Sequence, residues 1–495
     1  MSPIKTTKMT NYRWVICAML FLATTINYMD RQVLSLTYPG DGGIQQEFGW
    51  TDDNYGTITA WFSIFYAIFM LFAGKFIDWM GTKKGYLWAI FVWSTGAVIH
   101  AFCGIATSGI VTGDWLVGFE GALDTLRSFK ASGAADAGLV ISTVSMYLFL
   151  GARAILALGE AGNFPAAIKV TAEYFPKKDR AYATAIFNSG ASVGALIAPF
   201  TIPVLAKFFG WEMAFIVIGA LGYVWMGFWL FLYKKPNQNK RVNAAELTYI
   251  NQDTDTEGDP KDVNDEGPAI SFAKCFTFRQ TWAFIVGKFM TDGVWWFFLF
   301  WTPAYLKSQF NINPTDTEGM VLIFVLYLIT LLSILGGKLP TYFINRGMNP
   351  YAGRMRAMLI FAFFPLLGLV AQPLGDTFAT PWFPIILIGI LGAAHQSWSA
   401  NIFSTVGDMF PKSTIATITG IGGMAGGVGS FLINKGAGAL FTFAEGQGAA
   451  FKFMGFEGKP AGYMIVFCVC AVAYLIGWII MKMLVPKYKP VVVEK

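Results

Sequence analysis

Four charged residues stand where an apolar sequence should exclude them. In "INYMDRQVLS", Asp30 and Arg31 follow an uncharged run from Trp14 to Thr25; in "YLFLGARAILALGEAGNFP", Arg153 and Glu160 interrupt another apolar stretch. A formal charge at bilayer depth costs ~2.5–3.5 kcal/mol on insertion scales. Two arginines against two carboxylates make a neutral set, which explains how insertion is possible. A purely structural quartet contributes little over an apolar replacement, so chemistry is the better reading. Arginine stays protonated and grips a carboxylate through two parallel hydrogen bonds. A buried carboxylate can take up and release a proton. Together they offer the binding of an organic anion coupled to proton movement. Arg153 and Glu160 lie two helical turns apart, ~10.5 Å along the axis and within ~20° of one face, with Asn163 continuing that face. Asp30 and Arg31 point ~100° apart on their helix. One can look across to the Arg153/Glu160 helix while the other looks into a cavity. Tyr28 and Asn27 each share a face with Arg31.

The elements that must position these residues are membrane spans. The 495-residue chain is 55% hydrophobic and 13% charged, against about 25% charged for soluble proteins. Apolar stretches long enough to cross a ~30 Å hydrocarbon core recur throughout, so the chain reads as an all-α polytopic membrane protein. Twelve spans are expected, at 13–36, 53–77, 84–107, 138–163, 178–207, 212–234, 280–306, 317–340, 355–373, 380–405, 414–438 and 461–485. Lys and Arg collect in alternate loops, while "DGGIQQEFGWTDD" is purely acidic. The positive-inside rule then places both termini in the cytoplasm. The polar segment 235–278 reads as a solvated cytoplasmic linker. It divides the chain into an N-terminal six-helix bundle (1–234) and a C-terminal one (279–495). The halves look related: "EYFPKKDRAYATAIFNSGASVGALIAP" follows the fourth span and "DMFPKSTIATITGIGGMAGGVGSFL" the tenth. Such a repeat implies a substrate site between halves near the midplane, and the small residues of the fifth and eleventh spans allow close helix approach. Two longer external connections, 108–137 and 444–460, have no assigned role.

Other function classes find little support. The five cysteines suggest apolar packing rather than a disulfide or metal framework. No metal cluster, nucleophilic triad or phosphate loop appears, so no enzyme activity and no cofactor beyond the coupling proton are expected. The first apolar run is too long for a cleavable signal. Basic residues sit at span ends, which gives no reason to expect nucleic acid. A channel would need neither a neutralised charge quartet nor a six-plus-six repeat.

"GKFIDWMGTKKG", between the second and third spans, resembles the loop signature of the major facilitator superfamily at Gly74, Asp78, Gly81, Lys83 and Lys84, with Trp79 in place of the usual basic residue. The resemblance implies the major facilitator fold and a loop that governs conformation. Asn-Tyr-x-Asp-Arg in the first span with Arg-x6-Glu in the fourth resembles the anion:cation symporter branch. That likeness implies substrate binding by Tyr28, Arg31, Tyr66 and Arg153, and proton coupling by Asp30 and Glu160. Ala191 stands where a branch member has glutamine. A closer resemblance, through "RAILALGEAGNFPAAIKVTAEYFPKKDR", "IFNSGASVGALIAP" and "AHQ", is to bacterial hexuronate transporters. It implies import of galacturonate or glucuronate with protons across the bacterial inner membrane, by a monomer in contact with lipid. Aldonates or other small organic anions, and sodium as coupling ion, are the alternatives. Asn188, Gln396, Trp398 and Asn401 are further candidates for contact with substrate. His395 can titrate near neutral pH and is a candidate coupling residue, against the commoner reading of a hydrogen-bonded helix contact. Lys288 and Asp292, spaced i, i+4, either face the cavity and touch sugar hydroxyls or neutralise each other structurally.

Overall fold

A computed structural model describes residues 9–491 apart from 41, 135, 253–269, 337 and 411. Inside its helices, the side chains of Asp78 and of residues 177–178, 180–182, 185, 407, 412–413 and 415–416 also lie outside the described residues. In chain order the helices are α1 (Tyr12–Thr37), α2 (Ile44–Phe48), α3 (Asp52–Met80), α4 (Thr82–Thr112), α5 (Phe119–Ala131), α6 (Ala137–Glu160), α7 (Asn163–Tyr174), α8 (Lys177–Phe209) and α9 (Trp211–Leu232). The short α10 (Ala244–Ile250) and α11 (Phe272–Cys275) follow. Then come α12 (Arg279–Phe310), α13 (Thr317–Thr330), α14 (Ser333–Gly336), α15 (Leu339–Asn345), α16 (Pro350–Phe363), α17 (Gly368–Thr377), α18 (Trp382–Met409), α19 (Lys412–Gln447) and α20 (Lys459–Leu484).

Ten stretches among the described residues are long and apolar enough to cross a membrane. The expected first and eleventh spans, α1 and α19, reach spanning length but are not among them. Asn27, Asp30, Arg31 and Gln32 lower the hydropathy of α1, and glycine replaces large apolar residues along α19. The polytopic all-α architecture is clear, with the polar residues concentrated in the helices that carry the candidate chemistry.

Local sequence explains where the helices begin and break. Thr51 and Asn54 form a reciprocal capping box that starts α3, satisfying amides that helix geometry leaves unpaired. Gly81, at φ 77°, makes the turn from α3 into α4, a conformation that a side chain disfavours. The expected fourth span, 138–163, ends as α6 at Glu160, and the break at Ala161–Gly162 separates it from α7, so Asn163 begins a second helix rather than continuing the helix of Arg153 and Glu160. Pro165 has no amide hydrogen, and its ring would clash with the carbonyl of Ala161. The break therefore falls beside Glu160.

Helices preceding residue 235 pack largely on one another: α1 on α8 and α9, α4 on α6 and α9. Those after 278 do the same, α12 on α19 and α20, α13 and α16 on α18. The Ser-Gly-Ala-Ser-Val-Gly run of α8 seats α1: a Cβ at Gly190 would stand 2.4 Å from the Phe21 carbonyl oxygen, and one at Gly194 2.5 Å from that of Thr25. Among the described residues the broadest pairings between the two sets are α3–α19, α8–α13 and α1–α12. Polar links from α3 to α12, α19 and α20 gather toward the end opposite the termini. Asp53 accepts from Lys435 at 2.6 Å, and Asp52 pairs with Lys459 at 2.6 Å while accepting from the Tyr38 hydroxyl. Tyr55 donates to the Phe300 carbonyl at 2.6 Å, and the Ser63 and Ser430 hydroxyls meet at 2.8 Å.

The segment expected to be a solvated linker is partly docked. Glu246 of α10 is fully buried and accepts from Thr10 Oγ1, from the amides of Tyr12 and Arg13, and from Arg13 Nη1. One carboxylate thus caps the first turn of α1 and neutralises a buried arginine. Tyr249 donates to Asp179 at 2.7 Å. Of the external connections, α5 packs on α4 and α6. The second closes with a two-stranded hairpin, Lys452–Phe453 against Phe456–Glu457.

Candidate substrate site

Arg31 is the centre of the arrangement. It lies toward the C-terminal end of α1, 5% exposed, and its Nε donates to Glu160 Oε2 at 2.7 Å. Glu160 is the last residue of α6, so the helix break sets its side chain at the end of a helix rather than along its flank. The α6 C-terminus carries partial negative charge, which favours a guanidinium nearby. Three rings surround that guanidinium: Tyr66 at 4.5 Å from its Cζ, Tyr28 at 5.0 Å and Trp296 at 5.7 Å. Tyr28 comes from α1 itself, Tyr66 from α3 and Trp296 from α12, so the cage is shared across the two sets of helices. Cation–π contacts of this kind contribute roughly 0.5–2 kcal/mol each.

Arg153 lies beneath Phe62, whose ring centroid is 5.2 Å from its Cζ. Phe62 and Tyr66 sit one turn apart on α3 with ring centroids 6.3 Å apart, and Trp296 lies 6.0 Å from each. A single aromatic layer therefore covers both arginines.

Much of the polar surface here lacks a partner within the fold. Both oxygens of Asp30, both amide atoms of Asn27, Arg31 Nη2, Arg153 Nη1 and Glu160 Oε1 are buried without a hydrogen bond. Buried polar atoms of this kind cost about 1–3 kcal/mol each when left unsatisfied, and their concentration marks a place built to receive protons, water or a polar ligand. Asn163, across the break, accepts from the Tyr86 hydroxyl at 2.7 Å.

The remaining candidates divide. Lys288 and Asp292 form an ion pair of 2.7 Å on α12, their side chains 6% and 16% exposed. Trp398 is fully buried against Tyr474, and Asn401 donates to the Ser397 carbonyl of its own helix. His395 is buried between α12 and α20, its Nδ1 2.6 Å from the Tyr474 hydroxyl and its ring stacked on Trp295. Gln396 and Asn188 are exposed side chains on α18 and α8; neither meets Arg31. In the loop, Gly74 lies in the last turns of α3, Lys83 donates to the Leu230 carbonyl at 2.8 Å, and Lys84 is exposed. The Asp78 side chain lies outside the described residues.

Sequence reasoning missed Phe62, and of Trp295, Trp296, Phe297 and Phe298, read mostly as lipid and packing surface with one ring stacking on the sugar, it did not single out Trp296 as the cap. Phe62 was detectable as the i−4 neighbour of Tyr66. Trp296 had no distinguishing mark within "VWWFFLFW", where aromatic residues are the rule. Among the described residues no group of acidic, histidine or cysteine side chains could hold a metal ion.

A family model described as Major Facilitator Superfamily matches residues 20–433. The hexuronate transporter of Escherichia coli (strain K12) is 28% identical over 434 residues, 88% of each chain. A probable galactarate/D-glucarate transporter of the same organism is 24% identical over 464 residues, 92% of this chain and 94% of its own. Among solved structures, a bacterial homolog of the human lysosomal transporter Spinster superposes with a TM-score of 0.70 at 17% identity, covering 98% of this chain and 100% of the other.

Proposed function

The chain belongs to the Major Facilitator Superfamily, a transporter rather than an enzyme, and from that premise we propose that it is a proton-coupled symporter of a sugar-acid anion, a hexuronate such as galacturonate or glucuronate. The observation that carries this reading is the buried Arg31–Glu160 pair inside its aromatic cage. Similarity to a hexuronate transporter supports the choice of substrate.

Charge balance gives the cycle. With Glu160 ionised, Arg31 is occupied. Protonation of Glu160 removes the competing carboxylate and frees Nε and Nη2 to grip the carboxylate of the substrate. Asp30, buried without a hydrogen bond, takes the second proton, so the site loaded with a monoanion carries one net positive charge, that of Arg153. Tyr28, Tyr66 and Trp296 exclude water from the ion pair and offer flat faces to a sugar ring. Two six-helix bundles, 1–234 and 279–495, then rock about the site, with both termini and the basic loops in the cytoplasm and 235–278 joining the bundles. In the conformation described, links between the halves close the end opposite the termini, so the site discharges toward the terminal end. The loop Gly74–Lys84 governs the opposite closure. Arg153, Asn188, Gln396, Trp398 and Asn401 complete the set available to substrate as the halves move.

The test is uptake of labelled galacturonate into proteoliposomes under an inward proton gradient. Accumulation above equilibrium that a protonophore abolishes and unlabelled glucuronate competes away is the expected result. Uptake indifferent to the gradient would refute proton coupling.

A further inference from the structure

The pair Lys288–Asp292 lies one turn from the cage and has no part in the cycle above. Asp292 precedes Trp296 by four residues on α12, so it sits about 5–6 Å along the helix from the ring that caps Arg31. Its carboxylate is held on two sides. Lys288 Nζ lies 2.7 Å from Oδ2, and a Cβ placed on Gly426 of α19 would come within 2.2 Å of the same oxygen. Lys288 in turn lies 4.3 Å from the centroid of the Phe403 ring on α18. Gly426 therefore leaves room for this carboxylate where any side chain would collide with it. Of the pair, the acid is the more accessible member, 16% against 6%.

We infer that Asp292, held by Lys288, is a selectivity residue that reads the end of the substrate remote from the carboxylate gripped by Arg31, accepting hydroxyls and rejecting a second carboxylate. The inference rests on the sugar-acid reading of the site. A six-carbon acid is long enough to bridge one helical turn. At its far end it meets a fixed acceptor whose charge is balanced by one lysine, leaving no free cation. A hydroxyl donates to such an oxygen. A second carboxylate faces like charge at close range, and like-charge contact is an effective way to refuse a near-relative of the substrate. The site so built takes monocarboxylic polyhydroxy acids and discriminates against dicarboxylic ones of equal length.

The experiment uses the full chain in proteoliposomes and measures inhibition of labelled galacturonate uptake by glucuronate, with one carboxylate, and galactarate, with two. For the wild type, galactarate should need at least tenfold the concentration of glucuronate for half-inhibition. Asp292→Asn frees the charge of Lys288 and should shrink that ratio at least tenfold. Lys288→Gln, which leaves the acid uncompensated, should widen it at least threefold, and serves if the first variant fails to reach the membrane. An unchanged ratio in either transporting variant, or a wild type that treats the two acids alike, overturns the filter and leaves the pair a structural one. A wild type that takes up no sugar acid overturns the substrate reading itself, and the filter with it.

Discussion

Arg31 has two anionic partners in the proposed cycle, Glu160 and the substrate, and both draw on the same guanidinium. Geometry rather than charge alone should therefore matter. Arg31→Lys keeps the cation but loses the planar fork. Affinity for galacturonate, followed by competition, is expected to fall at least tenfold, and Arg31→Ala should leave no measurable binding. Near-normal affinity in Arg31→Lys would remove the bidentate grip from the account. At this scale the charges were legible in the sequence, because ionisable residues in apolar runs are expensive and therefore conspicuous. Of the covering rings, Tyr28 and Tyr66 were named and Phe62 and Trp296 were not singled out: in a chain that is 17% aromatic, nothing local distinguishes Trp296 from its neighbours.

At the scale of elements, the break between α6 and α7 and the docked α10 each do specific work. Pro165→Ala removes the clash with the Ala161 carbonyl and permits a continuous helix. Thermal stability should hold or rise, while gradient-driven uptake falls because Glu160 no longer projects from a helix end. Unimpaired uptake would mean that the break does not position Glu160. For α10, Glu246→Ala strands a buried arginine and uncaps α1, and removing one member of a buried pair costs roughly 3–5 kcal/mol. A clearly lowered unfolding temperature of the detergent-solubilised protein is expected; an unchanged one would show that the latch carries no stability. The helices themselves were visible from hydrophobic length; the break was missed, although Pro165 in "GNFP" carries its signal. The docking of α10 was hidden, since it depends on one glutamate in a polar segment whose average composition argues for solvation.

On the scale of the whole molecule, the contacts joining helices before residue 235 to those after 278 act as a clasp at one end. Ser63 and Ser430 meet across that boundary with hydroxyls 2.8 Å apart, close enough for a disulfide after substitution of both by cysteine. Oxidation of Ser63→Cys/Ser430→Cys should stop uptake and reduction restore it. Continued uptake by the cross-linked protein would show that these helices need not separate. The sequence conveyed the polytopic all-α organisation through its recurring apolar stretches. Closure at one end was beyond it, because that follows from which of two packings the halves adopt. The central claim concerns the buried pair, and it is tested most directly by measuring Glu160→Gln in two assays on the same proteoliposomes. Gradient-driven accumulation of labelled galacturonate should be lost, while exchange against internal unlabelled galacturonate persists. Accumulation on a proton gradient by Glu160→Gln would contradict the account.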